Sequence, residues 1–504
     1  MVQLLDKVRI LEEVFKAIPA GVKIYLTGGF VRDLLLSRES QDVDFLVTKE
    51  VHNVANKVAS LLKGHVVVLD RNLGIYRVVI KVNSVDFYLD FQKIRGKEIK
   101  EHINYQDFTI NSISMKLDDF LVLRSALFAL SQKRRSCYAV LKKYIIDHAG
   151  GVSDIKNKLI RHITNEIFDI DPLRMLRAYR FAAQLGFKIA HETIKLIENK
   201  KSLVDRTSGE RIRDELFKIL SSTSSFNIIE SMDNVGLLEM LFPEISVMKG
   251  SVREFYYHPK GLWQHSLTTL KEMEVIFSKL HRMFPRWHSA IKVHLEEKLT
   301  SCASRAALLK FVSLFHDVGK PYTAQYIDNR MRFFGHERRG AELICGAMRR
   351  LKMSNVEMRT VKNIILSHMR PGSLASGVVT ERAVYRFFRD IGEKDGLDVL
   401  LLSLADRYSY KHVRGVQKKK DIYRHKEVVY KILDTYYTSR ERVIPPRIIS
   451  GYDVMKICGV EEGPLVGKIL KLVEEKQSSG EIKDRTDAIN FLEKIKTMRN
   501  EFFI

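Results

Sequence analysis

The sequence predicts an α+β protein, in which a small mixed-sheet head is followed by predominantly α-helical domains. Short runs with strand-like alternation are confined to the chain before about residue 115, and nearly everything after it has helical periodicity with short breaks. At 504 residues the chain also exceeds what one hydrophobic core supports. We therefore expect about three or four domains.

The elements of the head follow one another closely. Apolar residues at helical spacing from Leu4 to Ile18 predict a first helix that stops at Pro19. Strands are expected over 22–26, 42–47, 66–69, 75–80 and 86–91. A helix is expected to begin near Val31, directly after the pair Gly28-Gly29.

Composition excludes several classes of protein. Hydrophobic residues make up 45% and charged residues 29%, and no apolar run approaches the roughly 20 residues that span a bilayer. The N-terminus does not resemble a signal peptide, so a cytoplasmic protein without membrane partners is expected. The four cysteines form no Cys-x-x-Cys pair, which favours free thiols at Cys137, Cys302, Cys345 and Cys458.

The charge balance favours a polyanionic partner. Lys and Arg number 84 against 61 Asp and Glu, giving a formal net charge of +23. Such an excess attracts phosphate backbones, although charge alone does not separate RNA from DNA or from anionic lipid. Two basic clusters, Lys133-Arg134-Arg135 with Lys142-Lys143 and Lys418-Lys419-Lys420 with Arg424, are either solvated helix faces or phosphate contacts.

Glycines and carboxylates in the head predict a magnesium site for nucleotide chemistry. Gly28-Gly29 lies between a strand and a helix start, where the backbone can approach phosphates, and Arg32 supplies a forked donor. Asp42 and Asp44 project from one face of their strand, and Asp90 from a later strand can complete the set. A lone Gly-Gly is more often a turn and a lone Asp-x-Asp a surface strand, but together they indicate two-metal polymerase-type chemistry.

At these residues the chain resembles the class II template-independent nucleotidyltransferases, which comprise bacterial-type CCA-adding tRNA nucleotidyltransferases and related poly(A) polymerases. The resemblance spans most of the chain. The matching segments, in family order, are Gly28 to Asp33, Asp42 with Asp44, Asp90 to Arg95, Asp107 to Asn111, Asp171 to Arg177 with Arg180-Phe181, Glu210 to Arg213 with Glu215, and Gly463 to Lys468 within 451–494.

The resemblance implies a role for each matching residue. Asp42, Asp44 and Asp90 would be catalytic, with Asp42 and Asp44 binding Mg²⁺. Asp171 and Arg174 would read the incoming base, since a carboxylate accepts from the amine shared by cytosine and adenine. Without the neighbouring motifs, an intrahelical salt bridge would be the better interpretation of this pair. The full set of nucleotide-binding residues would be Gly28, Gly29, Arg32, Asp107, Asn111, Asp171, Arg174, Arg177 and Arg180.

The chain departs from the family pattern at Gln106. Relatives usually carry arginine just before the aspartate at position 107, and glutamine cannot neutralise phosphate. The local contact to the ribose or triphosphate is therefore in doubt. The stretch from about Asp118 to Tyr144 is also longer than usual, and it either binds RNA or enlarges the surface.

A second metal site is predicted in the helical part of the chain. The dyad His316-Asp317, flanked by distant histidines and an aspartate, resembles the HD phosphohydrolase superfamily. By that resemblance His265, His316, Asp317 and Asp406 would hold one ion, and His336 and His368 would assist a second. Imidazole and carboxylate ligands suit Mn²⁺, Ni²⁺, Co²⁺, Fe²⁺ or Zn²⁺, and Lys320 is placed to contact a phosphate.

We therefore expect a nucleotidyltransferase head over 1–146, a base-selecting neck over 147–225, an HD domain over 226–412 and an RNA-binding tail over 413–504. The expected activity is addition of C and A to the tRNA 3′ end from CTP and ATP, with hydrolysis at the HD site for 3′-end repair. Partial CC or A addition and poly(A) synthesis are alternatives within the family. A phosphohydrolase acting on RNA ends, or a noncatalytic RNA-binding protein, are alternatives outside it.

Overall fold

The structure is a computed structural model that describes residues 2–40, 42–83, 85–132, 138–251, 260–411 and 419–497. Contacts divide the chain into two compact units, Met1–Thr207 with Val235–Leu237, and Ser208–Asn234 with Leu238–Ile504. The boundaries of the four domains expected from the sequence stay predictions. Of the two basic clusters, 133–135 and Lys418 lie outside the described residues.

The first unit contains a seven-stranded mixed sheet with strand order β3-β4-β5-β2-β1-β6-β7. Strands β2 and β5 are parallel, while the other neighbours pair antiparallel. The strands of this sheet are β1 Ile24–Thr27, β2 Asp42–Val47, β3 His65–Asp70, β4 Ile75–Val82, β5 Val85–Lys93, β6 Ser114–Lys116 and β7 Ile145–Ile146. Two further strands, β8 Leu159–Ile160 and β9 Lys188–Ile189, form a parallel pair.

Alternation along β5 places the apolar side chains in the core and the polar ones on the opposite face, as predicted. Phe87, Leu89 and Phe91 are buried, and the ring of Phe91 stacks on Phe45 of β2 with centroids 4.7 Å apart. Buried stacked rings of this kind contribute about 0.5–1.5 kcal/mol beyond their burial. The core thereby fixes which face of β2 and β5 carries the aspartates.

The helices of the first unit cover the sheet and continue beyond it. The predicted first helix ends before Pro19, and α9 ends at Gly186, whose φ of 68° is the left-handed conformation that favours glycine. Their bounds are α1 Val2–Lys16, α2 Gly28–Leu35, α3 Val51–Leu61, α4 Ile99–His102, α5 Leu117–Gln132, α6 Tyr138–Leu141, α7 Gly151–Asn157, α8 Ile167–Ile170, α9 Arg174–Leu185 and α10 His191–Lys200, with 3₁₀ turns at Ile103–Tyr105, Thr109–Asn111 and Lys201–Arg206.

The second unit is almost entirely helical, which confirms the predicted α+β class. Its helices are α11 Gly209–Leu220, α12 Ser225–Asn234, α13 Leu237–Leu241, α14 Glu244–Ser251, α15 Leu262–Ser278, α16 Leu280–Met283, α17 His288–Glu296, α18 Arg305–Phe315, α19 Lys320–Thr323, α20 His336–Arg350, α21 Asn355–Ser367, α22 Arg370–Leu374, α23 Glu381–Ile391, α24 Glu393–Ser409, α25 Lys419–Thr438, α26 Arg440–Val443, α27 Gly451–Cys458, α28 Pro464–Ser478 and α29 Arg485–Thr497. The last three pack around their own core, which includes Val454, Ile469 and Leu492.

Short strands after residue 115 are not visible in the sequence pattern. These strands are β7, β8 and β9 in the first unit, and a hairpin of β10 Gln325–Ile327 and β11 Arg330–Arg332 in the second unit. Strands of two or three residues are too short to establish an alternating pattern. No helix in the described part of the chain is long and apolar enough to cross a membrane. Cys302, Cys345 and Cys458 carry free thiols, and Cys137 lies outside the described residues.

Candidate functional site

The parallel pairing of β2 and β5 brings two of the predicted catalytic aspartates side by side. Asp44 lies opposite Asp90, and Asp42 lies opposite Tyr88 in the same register. Since side chains alternate along a strand, Asp42, Asp44 and Asp90 all project from the face opposite the apolar core. The sheet therefore presents a row of carboxylates on one surface.

Arg77 lies beside this row of carboxylates, and no pattern in the sequence indicates that it does so. It lies opposite Asp90 in the antiparallel β4–β5 pair, and its Nε and Nη2 each donate to one Asp90 oxygen at 2.7 Å. This two-pronged ion pair holds the third carboxylate in place while leaving Asp42 and Asp44 on the same face. A register-specific partner of this kind could be found only once the β4–β5 pairing was known.

The Gly-Gly turn lies directly against Asp44. The Gly29 amide donates to Asp44 Oδ2 at 3.2 Å. Gly28 has a φ of +66°, and a Cβ there would approach Asp44 Oδ2 to 2.6 Å. A side chain at position 28 would therefore be strained by its backbone and would push into the carboxylate.

The electrostatics of the row raise the pKa of Asp44. Burial, followed by the charges of Asp90 and Asp42, raises the pKa of this carboxyl to about 7. The Gly29 amide and the Arg32 charge act in the opposite direction. A cation placed between the carboxylates would relieve the repulsion that causes the shift.

A hydrogen-bonded network, buried except at Arg177, connects the Gly-Gly helix α2 to helix α9. Arg32 donates from Nε and Nη2 to both oxygens of Asp33, and from Nη1 to Asn111 Oδ1 at 2.7 Å. Asn111 in turn donates to Asp107 Oδ1 at 2.8 Å. Arg177 of α9 donates to Asp107 Oδ2 from Nε at 2.8 Å and Nη2 at 2.6 Å. Four of the predicted nucleotide-binding residues therefore form one continuous chain.

Phe181 lies at the centre of three guanidinium groups. Its buried ring has the Cζ atoms of Arg180, Arg32 and Arg177 at 4.0, 5.1 and 5.5 Å from its centroid. Cation–π contacts of this kind favour a fixed orientation of the arginines. Arg180 also donates to Gln184 at 2.9 Å.

The predicted base-reading pair lies at the start of α9. Asp171 Oδ1 accepts a hydrogen bond from the Leu173 amide at 3.2 Å. Asp171 therefore caps the turn that precedes α9, because the helix itself begins at Arg174. Arg174 donates from Nη2 to the Tyr105 carbonyl at 2.7 Å and from Nη1 to the Gln106 carbonyl at 3.4 Å. The pair therefore adjoins the segment that departs from the family pattern.

That segment lacks an arginine at position 106 but has guanidinium groups beside it. The Gln106 side-chain nitrogen lies 2.9 Å from Nε2 of His102. The Arg95 Cζ lies 5.0 Å from the centroid of the Tyr105 ring, and Arg174 binds the backbone on the same segment. Positive charge is thus supplied from positions 95 and 174.

The six predicted HD residues converge in the second unit. Asp317 is the common member: its Oδ2 lies 3.4 Å from His265 Nε2 and 3.3 Å from His316 Nε2, while its Oδ1 lies 3.5 Å from His336 Nε2 and 3.6 Å from His368 Nε2. Asp406 Oδ1 lies 3.2 Å from His265 Nε2. All of these side chains except that of Asp406 are buried.

Hydrogen bonds at the far ring nitrogens fix the tautomers of the four histidines. Nδ1–H donates to a backbone carbonyl in three of them, at 3.0 Å from His316 to Ser313, 2.7 Å from His336 to Phe333 and 2.7 Å from His368 to Ile365. The fourth ring, that of His265, has its Nδ1 3.0 Å from Ser409 Oγ. Since this hydroxyl already donates its proton to the Asp406 carbonyl at 2.6 Å, it accepts a hydrogen bond from His265 Nδ1–H. The Nε2 atoms therefore face the carboxylates, an arrangement that orients the imidazoles for metal binding. Burial lowers the pKa of His265, but hydrogen bonds to Asp317 and Asp406 raise it above its usual value, so a metal ion would displace a proton there.

The charges around Asp317 keep it ionised. Burial alone would raise its pKa, but His316 and Lys320 hold the pKa of this carboxyl well below its usual value. Lys320 Nζ lies 2.6 Å from Asp317 Oδ2. Burial lowers the pKa of His336, which favours the neutral imidazole that a metal requires.

The donor set fits a divalent metal ion at two positions. Two groups have ligand atoms within 4.8 Å of one another, His265 with His316 and Asp317, and Asp317 with His336 and His368. In the described chain no hydrogen bond reaches the fully buried Nε2 of His316, which a bound ion would satisfy. The head carboxylates belong to neither group.

Together the carboxylate face of the sheet and the histidine cluster define a nucleotidyltransferase head joined to an HD domain. The family described as Poly A polymerase head domain matches residues 24–161, and the HD domain family matches residues 262–411. A third family, described as probable RNA and SrmB-binding site of polymerase A, matches 186–248. These matches support the predicted resemblance to bacterial-type CCA-adding tRNA nucleotidyltransferases and poly(A) polymerases.

Similar proteins cover nearly the whole chain. The CC-adding tRNA nucleotidyltransferase of Thermus thermophilus is 27% identical over 475 residues, which are 92% of each chain. The A-adding tRNA nucleotidyltransferase of Deinococcus radiodurans is 27% identical over 486 residues, 93% of this chain and 94% of that one. Relatives of equal similarity thus carry different activities.

Solved structures share the fold. The structure of a CCA-adding enzyme with ATP has a TM-score of 0.62 at 20% identity, covering 100% of this chain and 96% of that one. The Thermotoga maritima CCA-adding enzyme complexed with tRNA has a TM-score of 0.59 at 20% identity, covering 97% and 95%. The head and HD domains imply that the protein depends on divalent metal ions.

Proposed function

We propose that the protein is a tRNA nucleotidyltransferase that adds C and A to the tRNA 3′ end from CTP and ATP and releases pyrophosphate. The observation that carries the proposal is the register of β2 and β5, which sets Asp44 beside Asp90 next to the Gly28-Gly29 turn. The tRNA, CTP and ATP named for the related proteins support these partners. The cytoplasmic location stays a prediction from the sequence.

Asp42 and Asp44 would hold Mg²⁺. Asp90 would assist them once it exchanges its ion pair with Arg77 for the metal. Bound magnesium would neutralise the triphosphate and favour attack by the terminal hydroxyl. The backbone at Gly28 and Gly29 would approach the phosphates, and Arg32 would steady them through N–H groups that Asp33 and Asn111 leave available. Asp33 and Asn111 hold that guanidinium in one orientation.

Magnesium affinity is expected to depend on pH through Asp44. With a pKa of about 7, this carboxyl is mostly protonated at pH 6 and mostly ionised at pH 8. Because Mg²⁺ competes with that proton, the half-saturating Mg²⁺ concentration for addition should be about tenfold higher at pH 6 than at pH 8. Titrations of the initial rate with Mg²⁺ at both pH values measure this. Equal half-saturating concentrations would mean that Asp44 does not change its ionisation between pH 6 and pH 8.

Asp171 and Arg174 would select the base. A carboxylate accepts from the amine of cytosine or adenine, and a guanidinium donates to the neighbouring ring acceptor. Both side chains contact the backbone, at Leu173, Tyr105 and Gln106, so a bound base would replace or extend these hydrogen bonds. Arg177 and Asp107 hold the same helix against the head.

The extent of addition is tested with tRNA ending at the discriminator base, after C, or after CC. The protein is supplied with Mg²⁺ and with CTP and ATP separately and together, and the products are sequenced. Completion of CCA from every start is expected. Arrest at CC, or use of CC-ended tRNA only, would make it a partial adder, and a long adenylate tail would make it a poly(A) polymerase.

Asp171→Ala serves as the matched variant in this assay. It is expected to accept UTP more readily while keeping the carboxylate row intact, because Asp171 is proposed to read the base and takes no part in metal binding. Unchanged selectivity against UTP would remove the base-reading role from Asp171.

The geometry of the HD residues supports a second activity, the hydrolysis of phosphates at RNA 3′ ends. We propose that His265, His316, Asp317 and Asp406 hold one transition-metal ion and that His336 and His368 assist a second. The observation that carries this proposal is the convergence of four Nε2 atoms on Asp317 with their tautomers fixed. Mn²⁺, Ni²⁺, Co²⁺, Fe²⁺ or Zn²⁺ would suit these ligands and would activate a water molecule there. Lys320 would contact the phosphate.

A further inference from the structure

A short hairpin borders the cavity beside the HD histidines. The cavity has a volume of about 440 Å³, and His336, His368 and Asp406 of the HD cluster line part of it. The second strand of the β10–β11 hairpin and the residues after it contribute the lining residues 331–335. Among these, Phe334 is 72% exposed, so the cavity reaches the protein surface on the side of the hairpin.

The backbone of the hairpin has a defined register. Asp328 and Asn329 have φ values of 50° and 55°, two left-handed residues in succession as in the type I′ turns that match the twist of paired strands. In this register Tyr326 lies directly opposite Met331. Opposing residues of a strand pair project from the same face, so Tyr326 shares a face with Met331, which lines the cavity.

Two aromatic rings on this segment are largely exposed. The exposed fraction is 76% for Tyr326 and 72% for Phe334. Rings with a free face stack with unpaired bases, and such stacking does not depend on which base is present. The hairpin therefore offers one stacking surface at the cavity, Phe334, and a second one beyond it, Tyr326.

Cationic side chains accompany these rings. Arg332 and Arg407 line the cavity, and Arg330 is exposed on β11. In the described part of the chain none of these three guanidinium groups forms an ion pair or a side-chain hydrogen bond. The carboxylates that line the cavity, Glu337 and Asp406, contact HD histidines instead. Guanidinium groups without a protein carboxylate favour a phosphate partner.

We propose that the β10–β11 hairpin binds the unpaired 3′ end of an RNA and directs its terminal phosphate into the HD cavity. Phe334 stacks with the terminal base, because it lines the cavity, and Tyr326 stacks with the base before it. Arg332 and Arg407 contact the phosphates. The proposal rests on the phosphohydrolase function proposed for the HD site. Single-stranded RNA and DNA share this chemistry, and the choice of RNA follows from that function.

Photocrosslinking to the metal-loaded full-length protein tests where the strand binds. The probes are RNA hexanucleotides with 4-thiouridine at the last or the second-last position. They end in a 3′-O-phosphonomethyl group, whose carbon–phosphorus bond resists hydrolysis. Mass spectrometry is expected to find crosslinks within residues 322–335. The same RNA annealed to its complement should give none there, because its bases are already stacked, and single-stranded probes that crosslink only outside this segment would overturn the proposal.

Phosphate release from RNA 3′-phosphates separates the two rings, because it reports on the HD site alone. Tyr326→Ala is expected to raise KM for a hexanucleotide 3′-phosphate about tenfold without changing kcat, and to leave KM for cytidine 3′-phosphate unchanged. Phe334→Ala should raise both KM values. A general loss of structure would instead lower kcat for both substrates.

A charge variant and a control complete the series. Arg332→Gln removes one phosphate contact, so the dependence of log KM for the hexanucleotide on log salt should become shallower by about 0.7. Val293→Ala is the control, since Val293 on α17 is 70% exposed and lies outside the cavity lining. Its KM values should equal those of the wild type.

The outcomes separate this proposal from that of hydrolysis. Crosslinks at the hairpin in a protein that releases no phosphate keep the RNA-binding role and remove the hydrolase activity. Phosphate release with the wild-type KM for the hexanucleotide in both Tyr326→Ala and Phe334→Ala removes the role of the hairpin. Displacement of the RNA by a DNA hexanucleotide at a lower concentration than unlabelled RNA requires also overturns the proposal.

Discussion

Replacing Asp44 with asparagine is expected to reduce nucleotide addition by about a thousandfold or more, the effect of losing about 4 kcal/mol of transition-state stabilisation. Asp44 has Asp90 opposite it in the adjacent strand and the Gly29 amide at 3.2 Å, so it lies at the centre of the carboxylate row. Asparagine keeps the shape but removes the charge that holds the metal. The measurement is the initial rate of labelled CTP incorporation into tRNA.

The matched control is Asp86→Asn. Asp86 lies on the same face of β5 as Asp90 but is exposed and four residues away along the strand, so its loss should leave the rate nearly unchanged. The HD metal content and tRNA affinity of Asp44→Asn should equal those of the wild type. Near-normal addition by Asp44→Asn would show that the catalytic centre lies elsewhere. The HD domain would then be the principal catalytic domain.

Replacing Asp317 with alanine is expected to remove both HD metal ions and to lower phosphohydrolase activity at RNA 3′ ends by at least about a hundredfold. Asp317 belongs to both groups of ligand atoms, with Oδ2 toward His265 and His316 and Oδ1 toward His336 and His368. His336→Ala should affect only the second group. Elemental analysis of the purified protein measures the ions per chain.

His281→Ala is the control for this series, because His281 is an exposed residue of α16 outside either group. Its metal content and activity should match the wild type. Nucleotide addition by Asp317→Ala should persist, since the head carries its own carboxylates. Metal content that does not change in Asp317→Ala would contradict the assignment, and thermal unfolding of each variant checks that it is folded.

Much of the head was predictable because its signals are local. Strand alternation fixes Asp42 and Asp44 on one face whatever the fold, and the buried Phe87, Leu89 and Phe91 fix the face of Asp90 in the same way. The partner of Asp90 was not predictable, since the contact with Arg77 depends on the β4–β5 register. Strands as short as β7 give no pattern at all.

The HD cluster shows the same division. The candidate ligands were predicted from the resemblance, but the hydrogen bonds that orient three of their rings come from the carbonyls of Ser313, Phe333 and Ile365. The sequence does not distinguish these carbonyls from any other backbone group. The β10–β11 hairpin beside the cavity was not predictable, because strands of three residues do not establish an alternating pattern.

A chain of hydrogen bonds runs from Arg32 through Asn111 and Asp107 to Arg177. It would link binding of the base thermodynamically to binding of the triphosphate. If a fitting base stabilises this chain, it also stabilises the orientation of Arg32, which is proposed to steady the triphosphate. A bound triphosphate must then stabilise the base contacts by the same free energy. The affinity for pyrophosphate would then be higher in the presence of cytidine than in the presence of uridine. An enzyme with no template would thus read its substrate at both ends through one shared equilibrium.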